Sequence, residues 1–202
     1  SYSLKEEYRR KIKFGVSGTD RNISAGELLS FLGSCIKKID AGLSKARTYD
    51  MYYGYFMNEV VEYSMDGVFV KPARFVQKPI VPFLEGQMHA LRLADNRDDA
   101  AAIYNATKKS VLFDKKLKMY KVTAPLSSMP EEIGRCHAFT PGWLENESIW
   151  LHMEYKYLLE VLEQGLYDEF YSDFRNALIP FQKPERYGRS ILENSSFLVS
   201  SA

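Results

Sequence analysis

The stretch Pro141–Gly165, PGWLENESIWLHMEYKYLLEVLEQG, opens on a Pro-Gly turn and becomes a helix that is apolar almost all round. Asn146 is predicted to cap a helix from Glu147 to Gln164, and Gly165 stands where a left-handed C-terminal cap belongs. Tyr167, Phe170, Tyr171, Phe174 and Leu178 then recur on one helical face, and Pro180 stops that helix. The phrase Leu144-Glu145-Asn146-Glu147-Ser148-Ile149 returns as Leu192-Glu193-Asn194-Ser195-Ser196-Phe197, with a final helix expected from Asn194. Self-similarity spaced by two helices and two loops points to repeated helical hairpins. Equivalent hairpins would bring Glu145-Asn146 and Glu193-Asn194 to the same rim. The plainer account is that two helices share one capping solution, their acids complementing the helix dipoles.

Working back towards the N-terminus, helical period dominates. Ser3–Phe14 reads as a polar amphipathic helix. Ser24 and Glu27 form an S-x-x-E capping box. Behind it Leu28, Leu29, Phe31, Leu32, Cys35, Ile36 and Ile39 repeat at three and four. The aromatic-rich Tyr52–Tyr63 fits helix or strand, and Val68–Val76 fits a short strand or an extended loop. Two more helices follow, over FLEGQMHALRLA and over DDAAAIYNATKKSVLF, the latter with Asp98 as its cap. Lys121–Pro141 is a long loop, a feature that in compact domains is usually functional or mobile. The expected fold class is mainly α, built of helical hairpins with long loops at one rim and little strand.

The chain has 202 residues, 46% hydrophobic and 14% aromatic, enough for one domain with a substantial core. Its 27 basic and 26 acidic residues leave a formal charge of +1, so no long-range field favours nucleic acid or an anionic membrane. Cys35 and Cys136 lack the spacing of a zinc site or redox pair and read as buried free thiols of a reducing compartment, although sequence leaves a disulfide open. No run approaches the roughly 18 apolar residues of a membrane span, and no export signal is recognisable. The expectation is a cytoplasmic chain without a membrane or nucleic-acid partner, continuing into or packing against further parts of a larger chain, with homodimerisation open.

Among residues that can do chemistry, His152 stands first. A lone histidine on an apolar helix is commonly a core residue satisfied by one hydrogen bond. Here it lies close behind a carboxylate-rich loop, at a helix start whose N–H groups and dipole favour anions. Arg135, Arg186 and Arg189 carry guanidinium forks suited to phosphate or carboxylate, or pair structurally with Glu132 or Glu185. Trp143, Trp150, Tyr187 and Phe139 offer flat faces for sugar rings. Trp150, inside the predicted helix, reads as core, and Trp143 at its Pro-Gly turn as the better ligand candidate. Glu145, Glu147, Glu154 and Glu193 are the carboxylates from which an acid/base pair could be drawn. No phosphate loop, dinucleotide fingerprint, nucleophile elbow or zincin motif occurs. His89 and His137 are isolated, so no metal site is expected.

The segments GRCHAFTPGWLENESIWLHMEYKYLLE and LIPFQKPERYGRSILENSSFLVSSA resemble the C-terminal part of the catalytic domain of cellobiose phosphorylase-like enzymes. The likeness runs from about Phe83 onward, is strongest over Gly134–Ala202, and leaves roughly the first 75 residues unassigned. It implies part of an (α/α)6 toroid within a single, partial catalytic domain. The family phrase E-N-G-x-I-F-x-H is matched by Glu145 to His152. That match implies phosphate binding for His152 and a place on the sugar-binding rim for Glu145 and Arg135, alongside Asn146, Trp143, Arg189 and Glu193. The implied reaction is inverting phosphorolysis of a β-linked disaccharide or oligosaccharide, with inorganic phosphate as co-substrate and no cofactor. The chain departs from the family in having Glu147 in place of glycine and in lacking a recognisable Phe-Arg-Asp general-acid segment and phosphate-binding glutamine. Taken alone it is therefore expected to be inactive. The alternatives are a non-catalytic helical domain that binds glycan or packs within a larger protein, and an inverting hydrolase.

Overall fold

The computed structural model describes residues 2–15 and 20–187, with Tyr187 described by its backbone alone. The chain forms two compact units, Ser1–Ala41 and Gly42–Ala202. Arg189, Glu193, the helix expected from Asn194 and the second copy of the Leu-Glu-Asn phrase lie outside the described residues.

In the first unit, α1 (Tyr2–Ile12) is a polar helix laced by Arg9–Glu6 and Lys11–Glu7 ion pairs at helical spacing. α2 (Ala25–Ala46), whose last residues from Gly42 on belong to the second unit, starts at the predicted capping box. The Glu27 N–H donates to Ser24 Oγ at 3.2 Å, and Glu27 Oε2 accepts from the Ser24 N–H at 2.9 Å. The helix and its cap form as the sequence predicts, yet no residue of α2 is buried, including its regularly spaced Leu, Ile and Phe.

In the second unit, β1 (Arg47–Thr48) and β2 (Met51–Tyr52) make a small antiparallel hairpin. β3 (Phe56–Asp66) and β4 (Phe69–Pro79) follow as a much longer antiparallel ribbon. The sequence offers no clear strand in this region; the structure makes both ambiguous segments strand. Their valines, phenylalanines and tyrosines suit a pleated surface, and Gly67, with φ of +62°, opens the two-residue turn between them.

The helical part comprises α3 (Leu84–Arg92), α4 (Arg97–Lys109), α5 (Leu151–Glu163), α6 (Tyr167–Ala177) and the short α7 (Pro184–Tyr187). The two-residue strands β5 (Phe113–Asp114) and β6 (Met119–Tyr120) lie between α4 and α5. The described residues are therefore mainly helical. Asn96, not Asp98, caps α4, its Oδ1 accepting from the Asp99 N–H at 3.0 Å. Asp98 falls in the first turn, where its charge complements the dipole.

The core forms where α3 packs on α4 and α5, and α5 on α6. Leu84, Leu91, Tyr120, Tyr157, Leu158 and Val161 fill it. The buried Gln87 pins β2 to α3, accepting from the Tyr52 N–H at 3.1 Å and donating to the Tyr52 carbonyl at 2.6 Å. Gly86 makes that approach possible, because a Cβ there would meet the Tyr52 carbonyl oxygen at 2.7 Å.

A polar knot crosses the same core. The hydroxyls of Tyr104 and Tyr120 donate to Asp173 Oδ2 at 3.0 and 2.7 Å, and Lys108 pairs with Oδ1. Asp173 is buried, so these partners supply what water would otherwise give its charge.

Candidate functional site

The loop before α5 is built around one side chain, that of Asn146. It is fully buried; its Oδ1 accepts from the Leu126 N–H at 2.9 Å and its Nδ2 donates to the Phe139 carbonyl at 2.7 Å. A third bond at 3.3 Å reaches Ser127 Oγ. Asn146 is therefore not the cap the sequence predicts but a staple that ties three stretches of loop together. Its backbone closes the Pro-Gly turn, with the Gly142 N–H donating to the Asn146 carbonyl at 2.7 Å and the Asn146 N–H to the Trp143 carbonyl at 3.1 Å.

The same geometry explains why the helix begins at Leu151 rather than Glu147. Leu144 and Glu147 have φ of +49° and +62°, left-handed values that no right-handed helix continues through. Trp150, which the sequence places inside the helix as core, is instead the N-cap residue and is half-buried. His152 becomes the second helical residue, its ring stacked on Trp150 at a centroid distance of 5.6 Å and 22° between planes. At the far end Gly165 adopts the predicted left-handed conformation, φ +74°.

The structure brings Arg135, Trp143, Glu145 and Asn146 together in one loop system. Trp143 is 53% exposed and meets Phe139 edge-on, their centroids 5.3 Å apart. The Arg135 guanidinium lies 5.8 Å over the Phe139 ring and 3.9 Å from Glu145 Oε1; Glu145, rather than Glu132, is its ion-pair partner. The other carboxylate oxygen, Glu145 Oε2, is buried and has no hydrogen-bond partner among the described residues. Such an acceptor is costly to leave unpaired. An aromatic face, a guanidinium and an accepting carboxylate form a combination suited to polar, ring-shaped ligands.

Of the other predicted candidates, Glu154 is removed from the rim altogether. It is fully buried on α5, its Oε1 accepting from the Tyr120 N–H at 3.1 Å. Burial, aided by the nearby Asp173 charge, pushes its carboxyl well above the ordinary value although the Tyr120 N–H pulls the other way. Arg186 donates to Asn176 at 2.7 Å. Cys35 and Cys136 are free thiols, half-buried rather than buried.

Sequence reasoning passes over the residues that hold the loop from beneath. Thr123 Oγ1 donates to the Glu145 carbonyl and accepts from the Glu147 N–H at 3.2 Å, and Lys121 pairs with Glu147 at 2.8 Å. The only signal available was their position at the start of the long Lys121–Pro141 loop, and that does not single out one hydroxyl or one lysine.

A cleft of about 420 Å³ lies between α3, α4 and the β1–β2 hairpin, walled by Arg47, Asp50, Tyr52 and Lys109, and contains none of these rim residues. Among the described residues no group of three or more His, Cys, Asp or Glu side chains is placed to hold a metal ion, and no helix is long and apolar enough to cross a membrane. No protein-family model matches the chain, and no curated protein matches it.

Proposed function

We propose that this chain is part of a carbohydrate-active enzyme that cleaves a β-linked disaccharide or oligosaccharide by inverting phosphorolysis. Trp143, Glu145 and Arg135 line its sugar rim, positioned by the buried Asn146 staple, and His152 binds phosphate, while Arg189 and Glu193 belong to the same rim by their sequence pattern. The observation that carries the reading is the Asn146-stapled loop. It gathers an exposed indole, a guanidinium and a carboxylate with one unmet acceptor, then leads within a few residues to a histidine in the first turn of α5.

In the proposed reaction an aspartic acid from elsewhere in the complete enzyme protonates the glycosidic oxygen. A phosphate oxygen attacks the anomeric carbon from the opposite face, the bond to the leaving sugar breaks, and the product is a sugar 1-phosphate of inverted configuration. His152 and the first turn of α5 hold the phosphate dianion through N–H donors and the positive helix end. Trp143 stacks on a sugar ring, and Glu145 accepts a sugar hydroxyl at its empty Oε2.

One observation favours a second reading, a non-catalytic glycan-binding domain, whereas the missing phosphate-binding glutamine is what would favour a water-using hydrolase. Glu147, where the resembling family has glycine, takes the left-handed conformation that glycine adopts freely, and its bulkier side chain, paired with Lys121, stands where the family phrase leaves room.

The test is to incubate the complete polypeptide with a panel of β-linked disaccharides, with and without phosphate, and to assay sugar 1-phosphate. Product only with phosphate, and a phosphate affinity about 10–100-fold weaker in His152→Ala, is the expected result, the size being that of a charge-assisted hydrogen bond. Free sugars released without phosphate support the hydrolase, and sugar binding without turnover the binding domain.

A further inference from the structure

The β3–β4 ribbon is two-faced. Side chains alternate along a strand, so cross-strand partners share a face. One face carries a ladder of ion pairs, Glu59–Lys78, Glu62–Arg74 at 2.7 Å and Asp66–Lys71. On the other, Val60 lies opposite Phe75, Tyr63 opposite Pro72 and Met65 opposite Val70.

This segregation depends on two register shifts that leave Val61 in β3 and Ala73 in β4 without a cross-strand partner. If residue 61 were paired regularly instead of bulged, the alternation would turn Glu62 onto the face of Val60. The bulges thus preserve a strip with no charged side chain, and its members are solvent-exposed, Val60 at 41% and Tyr63 at 63% among them.

We infer that this strip is a self-association surface, and that its partner is the same strip of a second copy of this chain. A two-stranded ribbon is marginal in water by itself and is stabilised when one face packs on another layer. A two-fold contact requires a patch complementary to itself, and an uncharged apolar strip meets that condition. The exposed part of these six side chains is roughly 500–600 Å² per copy, so two facing strips bury about 1,000 Å², the lower limit of a specific interface. Two ribbons stacked face to face at ordinary sheet spacing place Tyr63 and Pro72 at the centre and leave both ion-pair ladders in water.

The experiment is sedimentation equilibrium of the chain across the micromolar range, with far-UV circular dichroism as the control for folding. The expected result is a mass rising from monomer to dimer. Tyr63→Lys should abolish the dimer, and Tyr63→Thr, which keeps a strand-forming residue and adds no charge, should weaken it at least tenfold. Ser64→Lys on the ion-pair face should leave it intact. A monomer at every concentration overturns the proposal and leaves a different apolar partner as the occupant. A dimer that survives both Tyr63 substitutions in folded protein places the interface elsewhere and overturns it equally.

Discussion

Asn146 and Glu154 are both buried polar residues close to the start of α5, but they differ in how well they are satisfied. Asn146 uses both amide ends, so Asn146→Ala leaves the buried Leu126 N–H and the partly buried Phe139 carbonyl without these partners. The expected cost is about 2–4 kcal/mol in chemical denaturation, because each buried group left unpaired costs about 1–3 kcal/mol. Glu154 has one oxygen bonded and the other without a hydrogen-bond partner, and burial favours its neutral form. In the unfolded chain its carboxyl ionises near 4.5; in the folded chain it does so well above that. Between those two values folding takes up a proton, so the stability tied to this proton is complete below pH 4.5 and is lost as pH rises towards the folded value. Each pH unit in that window costs about 1.4 kcal/mol. Glu154→Gln keeps an acceptor for the Tyr120 N–H and has no proton to lose. Thermal melts at pH 5 and pH 8 should therefore show the variant gaining on the wild type at the higher pH. A constant difference between the two proteins would show that Glu154 is already ionised at pH 5.

At the scale of elements, what could be read in advance were the features set by neighbours in sequence. The Ser24–Glu27 box, the Gly165 cap and the α6 stripe that ends before Pro180 all depend on residues three or four positions apart. The start of α5 depends on Leu126, Ser127 and Phe139, which no local pattern connects to Asn146, and so the helix was expected four residues too early. The site divides along the same line. Trp143 and Glu145 could be singled out as turn and loop residues, whereas Thr123 and Lys121 matter only because the fold brings them under the loop. Gly86 is the sharpest case, because helix propensity alone asks for alanine there, by roughly 1 kcal/mol. The Tyr52 carbonyl 2.7 Å from the site of a Cβ reverses that preference, since backbone pinned by Gln87 cannot move aside. Gly86→Ala should destabilise by about 1–3 kcal/mol, the usual range for overpacking, read as a lower denaturation midpoint at unchanged slope. A stabilised variant would mean that the β1–β2 hairpin is not held against α3 in solution.

Across the whole molecule, the buried residues among those described run from Leu84 to Gln182, and none precedes them. α2, though capped and 22 residues long, has no buried residue, and β3–β4 is exposed along nearly its whole length. Local stability follows buried apolar contact more than hydrogen-bond regularity, because an exposed helix opens by fraying whereas a core helix opens only with its neighbours. Amide exchange should therefore divide the chain. α3, α5 and α6, which share the Leu84–Leu91–Tyr157–Val161 core, should exchange slowest and at rates approaching those of global unfolding. α2 should exchange by local opening, orders of magnitude faster, despite a hydrogen-bonded backbone as regular as that of α5. The ribbon tests a different term. If its apolar strip is covered by a second copy, protection there should rise with protein concentration, as mass action requires, while that of α3, α5 and α6 barely changes. Exchange measured by mass spectrometry at two concentrations separates these outcomes. Slow exchange in α2 at both would show that its Leu, Ile and Phe face is covered in solution.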